Sequence, residues 1–279
     1  MKAESPIRLC RFESVNPRRV RTLVAGELWY SPPKQFNDLE DCRLHLTANL
    51  ESISSPEAVK KAAEVMYESN VLPDGHLVNR HFDFLSGYFS KGLDNSRGKV
   101  FRVYSNMNQA QMLREEIIES TGVCCFFAAE PTNALMWAHY GANHTGICIE
   151  YEVDLVDGQL PQQLHEVNYT SQWPPKIDVR ELLFSPASAI ARVVATKRAC
   201  WAHEREYRIV GLDMLDPASQ GKGVSLNRPA WLSPKRLICG AHQVGDSQLN
   251  WDMETLAKRV GVPRARVELT EKGLEIRDL

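Results

Sequence analysis

Two short apolar runs do most to limit what this chain can fold into: Val123-Cys-Cys-Phe-Phe127 and Gly146-Ile-Cys-Ile-Glu-Tyr-Glu152. Both are too short for a core helix and are rich in β-branched or aromatic side chains, so each reads as a buried strand. Between them Asn133-Ala-Leu-Met-Trp-Ala-His-Tyr140 reads as a short helix closed by Gly141. A sheet carrying small helices is therefore the frame into which everything else must fit.

The remaining segments extend that frame. Residues 7–12, IRLCRF, predict a strand. Asn16-Pro17 then predicts a helix start, with Asn as cap and Pro at the first helical position, and Gly26 ends the helix. Glu27-Leu-Trp-Tyr-Ser31 is a second strand stopped by Pro32-Pro33, and residues 34–42 are a polar turn. A helical insertion is expected over about 54–118. Strands are expected at Val167–Tyr169, from Arg208, at Arg236–Cys239 and, as the last one, at Ala265–Leu269, with a helix over Ser247–Val260. The expected fold class is α+β: one domain over 1–279, a mixed or antiparallel sheet with that helical insertion.

Composition narrows the function classes. In 279 residues a net charge of −2 and a pI near 6.5 provide no global basic field for nucleic acid. The seven cysteines show no CxxC pair, no run approaches the roughly 20 apolar residues of a membrane span, and the start lacks a secretory core. The expectation is a cytoplasmic chain with free thiols and no membrane partner.

Chemistry concentrates in Lys197-Arg-Ala-Cys-Trp-Ala-His-Glu-Arg-Glu-Tyr-Arg-Ile-Val210. A helix opened by Ser185-Pro186 and running to about His203 puts Lys197, Trp201 and Glu204 on one stripe. Alternation afterwards puts Glu204, Glu206 and Arg208 on one face, with Tyr207 and Ile209 toward the core. Carboxylates there orient a hydroxyl or steady a developing cation, tuned by a neighbouring cation. The plainer alternative is a surface salt-bridge lattice of little stabilising value.

Elsewhere Arg11 offers a planar fork for carboxylate or phosphate, or else is a surface arginine on an edge strand. Asn37-Asp38 is a candidate contact or an ordinary Asx turn. His139, His144 and Glu150 lack a recognised ligand spacing, so no metal site is expected. Cys124, Cys125 or Cys148 could pair with His139 or His144 as nucleophile and base, but they lie in apolar strands, where thiols are usually inert packing.

Three motifs in order, LWYSPPKQFNDLEDC, LMWAHYGANHTGICIEYE and K…W…EREYRIV, resemble the bacterial domain-of-unknown-function family numbered 2971, over roughly residues 7–270. That family name implies no activity. The strand–helix–Gly–strand opening is also similar to ADP-ribosyltransferase domains. This second resemblance implies NAD as cosubstrate, with Arg11 holding it and Ser31 or Tyr140 packing on the nicotinamide. Glu206, with Glu204 before it and Arg208 after, would act at the ribose, with Asn37 and His139 as further cofactor contacts. The implied activity is a defence or toxin effector that modifies a macromolecule, protein or nucleic acid. Two rivals stand beside it: a metal-dependent nuclease using Asp38, Glu40 and Asp41, and a non-catalytic sensing or interaction module.

Overall fold

A computed structural model describes residues 6–43, 45–47, 120–172, 174–178, 186–211, 215, 222–243 and 247–279. The expected helical insertion over 54–118 lies outside these residues. The opening follows the local signals. Strand β1 (Ile7–Glu13) leads to helix α1 (Pro17–Val24), where the Asn16 side chain accepts from the Arg19 N–H at 3.0 Å and Pro17 supplies the first helical residue. Gly26, at φ +72°, turns the chain into β2 (Glu27–Tyr30). The chain continues through β3 (His45–Thr47), β4 (Gly122–Phe127), α2 (Ala134–His139), β5 (Ile147–Val153), β6 (Leu164–Glu166), β7 (Asn168–Thr170) and β8 (Lys176–Asp178). It ends through α3 (Pro186–Val194), β9 (Thr196–Arg198), β10 (Glu206–Gly211), β11 (Val224–Asn227), β12 (Leu232–Cys239), α4 (Ser247–Val260), β13 (Arg264–Thr270) and β14 (Gly273–Asp278).

Eight strands form the central sheet in the order β14-β13-β12-β5-β1-β4-β10-β6. Every neighbouring pair is antiparallel except β12 and β13. The α+β class with a mostly antiparallel mixed sheet is as expected. The sheet is covered on both faces, and register decides which side chains go where, because direct cross-strand partners share a face. Cys10, Phe127 and Glu206 are in register, so they share one face with their alternates Phe12, Cys125 and Arg208. Leu9, Arg11 and Glu13 take the other face, with Cys124 and Phe126 of β4.

On the Arg11 face the core packs Leu23 of α1 and Met253, Leu256 and Ala257 of α4 against Leu9, Phe126, Ile149 and Ile209. On the Glu206 face Met136 and Trp137 of α2 pack on Phe12 and Phe127, and Ile190, Val193 and Val194 of α3 pack on Val123. Trp137 is fully buried, meets Phe12 edge-on at 5.1 Å, and donates its indole N–H to the Pro131 carbonyl at 2.7 Å. No helix among the described residues is long and apolar enough to cross a membrane.

Two expectations need correction. The helix begun at Pro186 ends at Val194 rather than near His203, because Thr196–Arg198 pairs in parallel with β7 and a 3₁₀ turn, Ala199–Glu204, follows. Ala265–Leu269 is also not the last strand: Gly273–Asp278 returns antiparallel to it.

Candidate functional site: a buried charge cluster

Between the α2 and α3 cores lies a cluster of five ionisable side chains. Glu204 closes the 3₁₀ turn, and Arg205, held left-handed at φ 48°, redirects the chain so that Glu206 begins β10. Alternation then places Arg208 beside Glu206, while β9 brings in Lys197 and the turn after Phe36 brings in Asp41. All five are buried: Glu204 is 0% exposed, Arg208 1%, Glu206 and Lys197 2% and Asp41 8%.

Arg208 is the centre. It grips Glu206 through Nε at 2.8 Å and Nη2 at 2.8 Å, and Asp41 through Nη1 at 2.8 Å and Nη2 at 2.6 Å. Its Nη1 also donates to the Val194 carbonyl at 2.5 Å. Two bidentate contacts from one guanidinium are what its planar fork allows and an ammonium does not. The Lys197 Nζ lies 2.6 Å from Glu204, 3.3 Å from Glu206 and 3.6 Å from Asp41, and packs over the Trp201 ring at 4.9 Å. The Tyr140 hydroxyl donates to the free oxygen of Glu204 at 2.5 Å, and the Glu206 N–H donates to the Tyr169 hydroxyl at 2.8 Å. Every oxygen of the three carboxylates therefore accepts at least one hydrogen bond.

Electrostatics follow from that geometry. Burial pushes the Glu206 carboxyl up, yet Arg208 and Lys197 outweigh it and hold the group below its usual range. Asp41 is lowered in the same way, against its own burial, chiefly by Arg208. Burial works against the Lys197 charge, but Glu206, Tyr140 and Glu204 raise its pKa above the ordinary value. Burial also raises Tyr140, keeping its proton on the oxygen. Three carboxyl groups face two cations.

The structure gathers Tyr140, Glu204, Glu206 and Arg208 into this cluster and leaves the other candidates outside it. Arg11 sits on the opposite face of the sheet, bonded to Glu13, the Cys124 thiol and, at 3.1 Å, the Trp29 carbonyl. It is 7% exposed on a central strand, so it is neither a surface nor an edge arginine. Arg11 and Glu206 cannot meet one ligand from one side. Ser31 forms a backbone bridge with Val123, the N–H of each donating to the carbonyl of the other at 2.9 Å. Asn37 is exposed in a bend, while Asp38 caps the Glu40 N–H at 2.9 Å in the expected Asx manner. His139 is exposed, its ring 6.3 Å from Tyr140 and 6.4 Å from Trp201.

The expected face-sharing of Glu206 and Arg208 holds, as does the pairing of Lys197 with Glu204, although a strand and a turn make that pairing instead of a helix stripe. The lattice is interior rather than on the surface, because helices cover both faces of the sheet. Asp41 and Tyr169 were missed as members. Asp41 stands 167 residues from Arg208, and no local pattern reports so distant a pair. Glu40 instead bonds exposed Arg198 at 2.6 Å.

Residues 136–209 match the family model described as Protein of unknown function (DUF2971). The matched span is narrower than the 7–270 expected, and it contains Tyr140, Lys197, Glu204, Glu206 and Arg208 but not Arg11, Ser31, Asn37 or Asp41. No curated protein and no solved structure matches the chain, and the resemblance to ADP-ribosyltransferases has no structural neighbour behind it.

Proposed function

We propose that this protein is a non-catalytic sensing or interaction module in which the charge cluster is a structural latch. One observation carries the reading: Glu204 and Glu206 are buried, and each of their oxygens already accepts a side-chain hydrogen bond. A carboxylate that steadies a developing cation must aim a lone pair at the substrate; at 0% and 2% exposure Glu204 and Glu206 are closed to one, and each oxygen is already turned to Tyr140, Lys197 or Arg208. The latch ties four distant parts of the chain together: the turn at Asp41, the end of α2 at Tyr140, β9 and β10.

A second reading, NAD-dependent ADP-ribosyl transfer to a protein or nucleic acid, is favoured by the bond from Tyr140 to Glu204. That bond joins one of the two candidates for packing on the nicotinamide to the Glu-x-Glu pair. On this reading substrate binding must first free a carboxylate from the latch.

The test is nicotinamide release from NAD by the purified chain, with cell lysate supplying acceptors, beside Tyr140→Phe. A module releases none from either protein. Release by the wild type that falls sharply in the folded Tyr140→Phe variant overturns the module reading in favour of the transferase.

A further inference from the structure

The loop from α2 to β5 is built against the usual backbone preference. Ala142, Asn143 and His144 have φ of 49°, 53° and 65°. Three successive left-handed residues without a glycine among them persist only where the surroundings hold them. Here the Gly146 N–H donates to the Gly141 carbonyl at 2.9 Å, and the His144 ring stacks on Trp137 with planes 17° apart. Gly240 lies so close that a Cβ on it would stand 2.2 Å from the His144 carbonyl oxygen.

The 3₁₀ turn Ala241–Gln243, after β12, adds a second histidine to this loop. The His242 backbone N–H donates to the His144 carbonyl at 3.0 Å, and the two rings lie with centroids 5.5 Å apart and planes tilted by 51°. The His242 Nδ1 lies 3.1 Å from the Asn143 carbonyl oxygen. A carbonyl can only accept, so Nδ1 carries the proton and the Nε2 lone pair is left available.

We propose that His144 and His242 form a two-histidine site for a divalent transition cation of the zinc class. With Zn–N bonds of about 2.0–2.1 Å, two imidazoles at a tetrahedral angle hold their ring centres about 5 Å apart, close to the spacing found. The anchored Nδ1–H of His242 is the outer support that ligating histidines use to fix tautomer and ring orientation. Imidazole suits zinc, copper and nickel. The site is open, with His242 exposed and His144 half-buried. No group of three His, Cys, Asp or Glu forms a metal cage among the described residues, so water or an incoming ligand completes the shell.

The test is calorimetric titration of Zn²⁺ into the full chain carrying Cys200→Ser, since Cys200 is an exposed competing thiol. In that background His144→Gln, His242→Gln and the control His203→Gln are compared, with folding checked by circular dichroism. One saturable site is expected, weakened at least about tenfold by either ligand substitution and unchanged by the control. The parent failing to bind, or His242→Gln binding as the parent does, overturns the proposal. His242 is exposed, so its variant keeps the test sound if loss of the Trp137 stack disturbs folding in His144→Gln.

Discussion

Arg208→Met is the perturbation that asks most directly what the cluster does. Methionine fills the volume of the arginine stem but donates nothing. Asp41 then loses both guanidinium bonds, Glu206 retains Lys197 as its cation, and Val194 loses its donor. Lys197 is left alone against three buried carboxylates. Breaking a buried pair by removing one partner costs about 3–5 kcal/mol, because the remaining charges stay desolvated. At about 2–4 °C per kcal/mol for chains of this general size, the melting temperature should fall by roughly 6–20 °C. Urea unfolding followed by circular dichroism at pH 7 measures the loss. Arg198→Ala is the control: its bridge to Glu40 is about half exposed on both sides, and the midpoint should not move. Adding Asp41→Asn and Glu206→Gln to Arg208→Met should recover part of the loss, since the stranded charges are then removed. A drop of less than about 1 kcal/mol for Arg208→Met alone would refute the latch, showing that water solvates the carboxylates when the guanidinium is gone.

Two further outcomes follow from the same geometry. Asp41 and Glu206 have folded pKa values below their unfolded ones. Their contribution is therefore fully present above the ordinary carboxylate range, about 3.9–4.3, and drains away as pH falls through the lower folded values. The urea midpoint should hold from pH 7 to 5 and drop steeply below 4, and a flat midpoint down to pH 3 would contradict the pairing. Gly146→Ala should destabilise by roughly 1–3 kcal/mol or more, because the new Cβ would lie 2.3 Å from the Glu13 carbonyl and 2.8 Å from that of Gly141, both backbone atoms. Thermal unfolding reads this directly, and an unchanged melting temperature would mean the loop is not clamped as described.

What could be read from sequence was local chemistry. Asn16-Pro17 announces α1 because capping is a matter of neighbouring residues, and Ser247–Val260 is the helix its periodicity predicts. What could not be read was anything decided by a partner far along the chain. The helical pattern continues past Val194, but Thr196–Arg198 is claimed as a strand by Asn168–Thr170. Arg11 reads as an edge residue, yet β1 lies between β4 and β5 and is covered by α1 and α4. Alternation placed Glu206 and Arg208 together, but not which face they share with Arg11's neighbours, because that depends on the β1–β4–β10 register. Gly273–Asp278 has only Leu274 and Ile276 as an apolar stripe, too short a pattern to stand out before β13 provides its ladder.

The same burial changes what the obvious catalytic substitution reports. Glu206→Gln looks conservative on a surface, where it would remove charge and nothing else. Inside the latch, the new amide must turn an N–H₂ toward Arg208 or Lys197, donor against donor, and both cations lose a counter-charge. Lost NAD turnover in that variant would follow from a broken fold as readily as from lost chemistry. Tyr140→Phe is the cleaner probe. It removes one hydroxyl at the half-buried rim, leaves Lys197 on Glu204, and disturbs neither cation's other contacts. Its stability loss should be about 1.5–3 kcal/mol, because one buried oxygen of Glu204 loses its donor, still less than removing a cation from the cluster. A module would show that loss and no change in NAD handling; a transferase would show a change in turnover far larger than the loss of stability could produce.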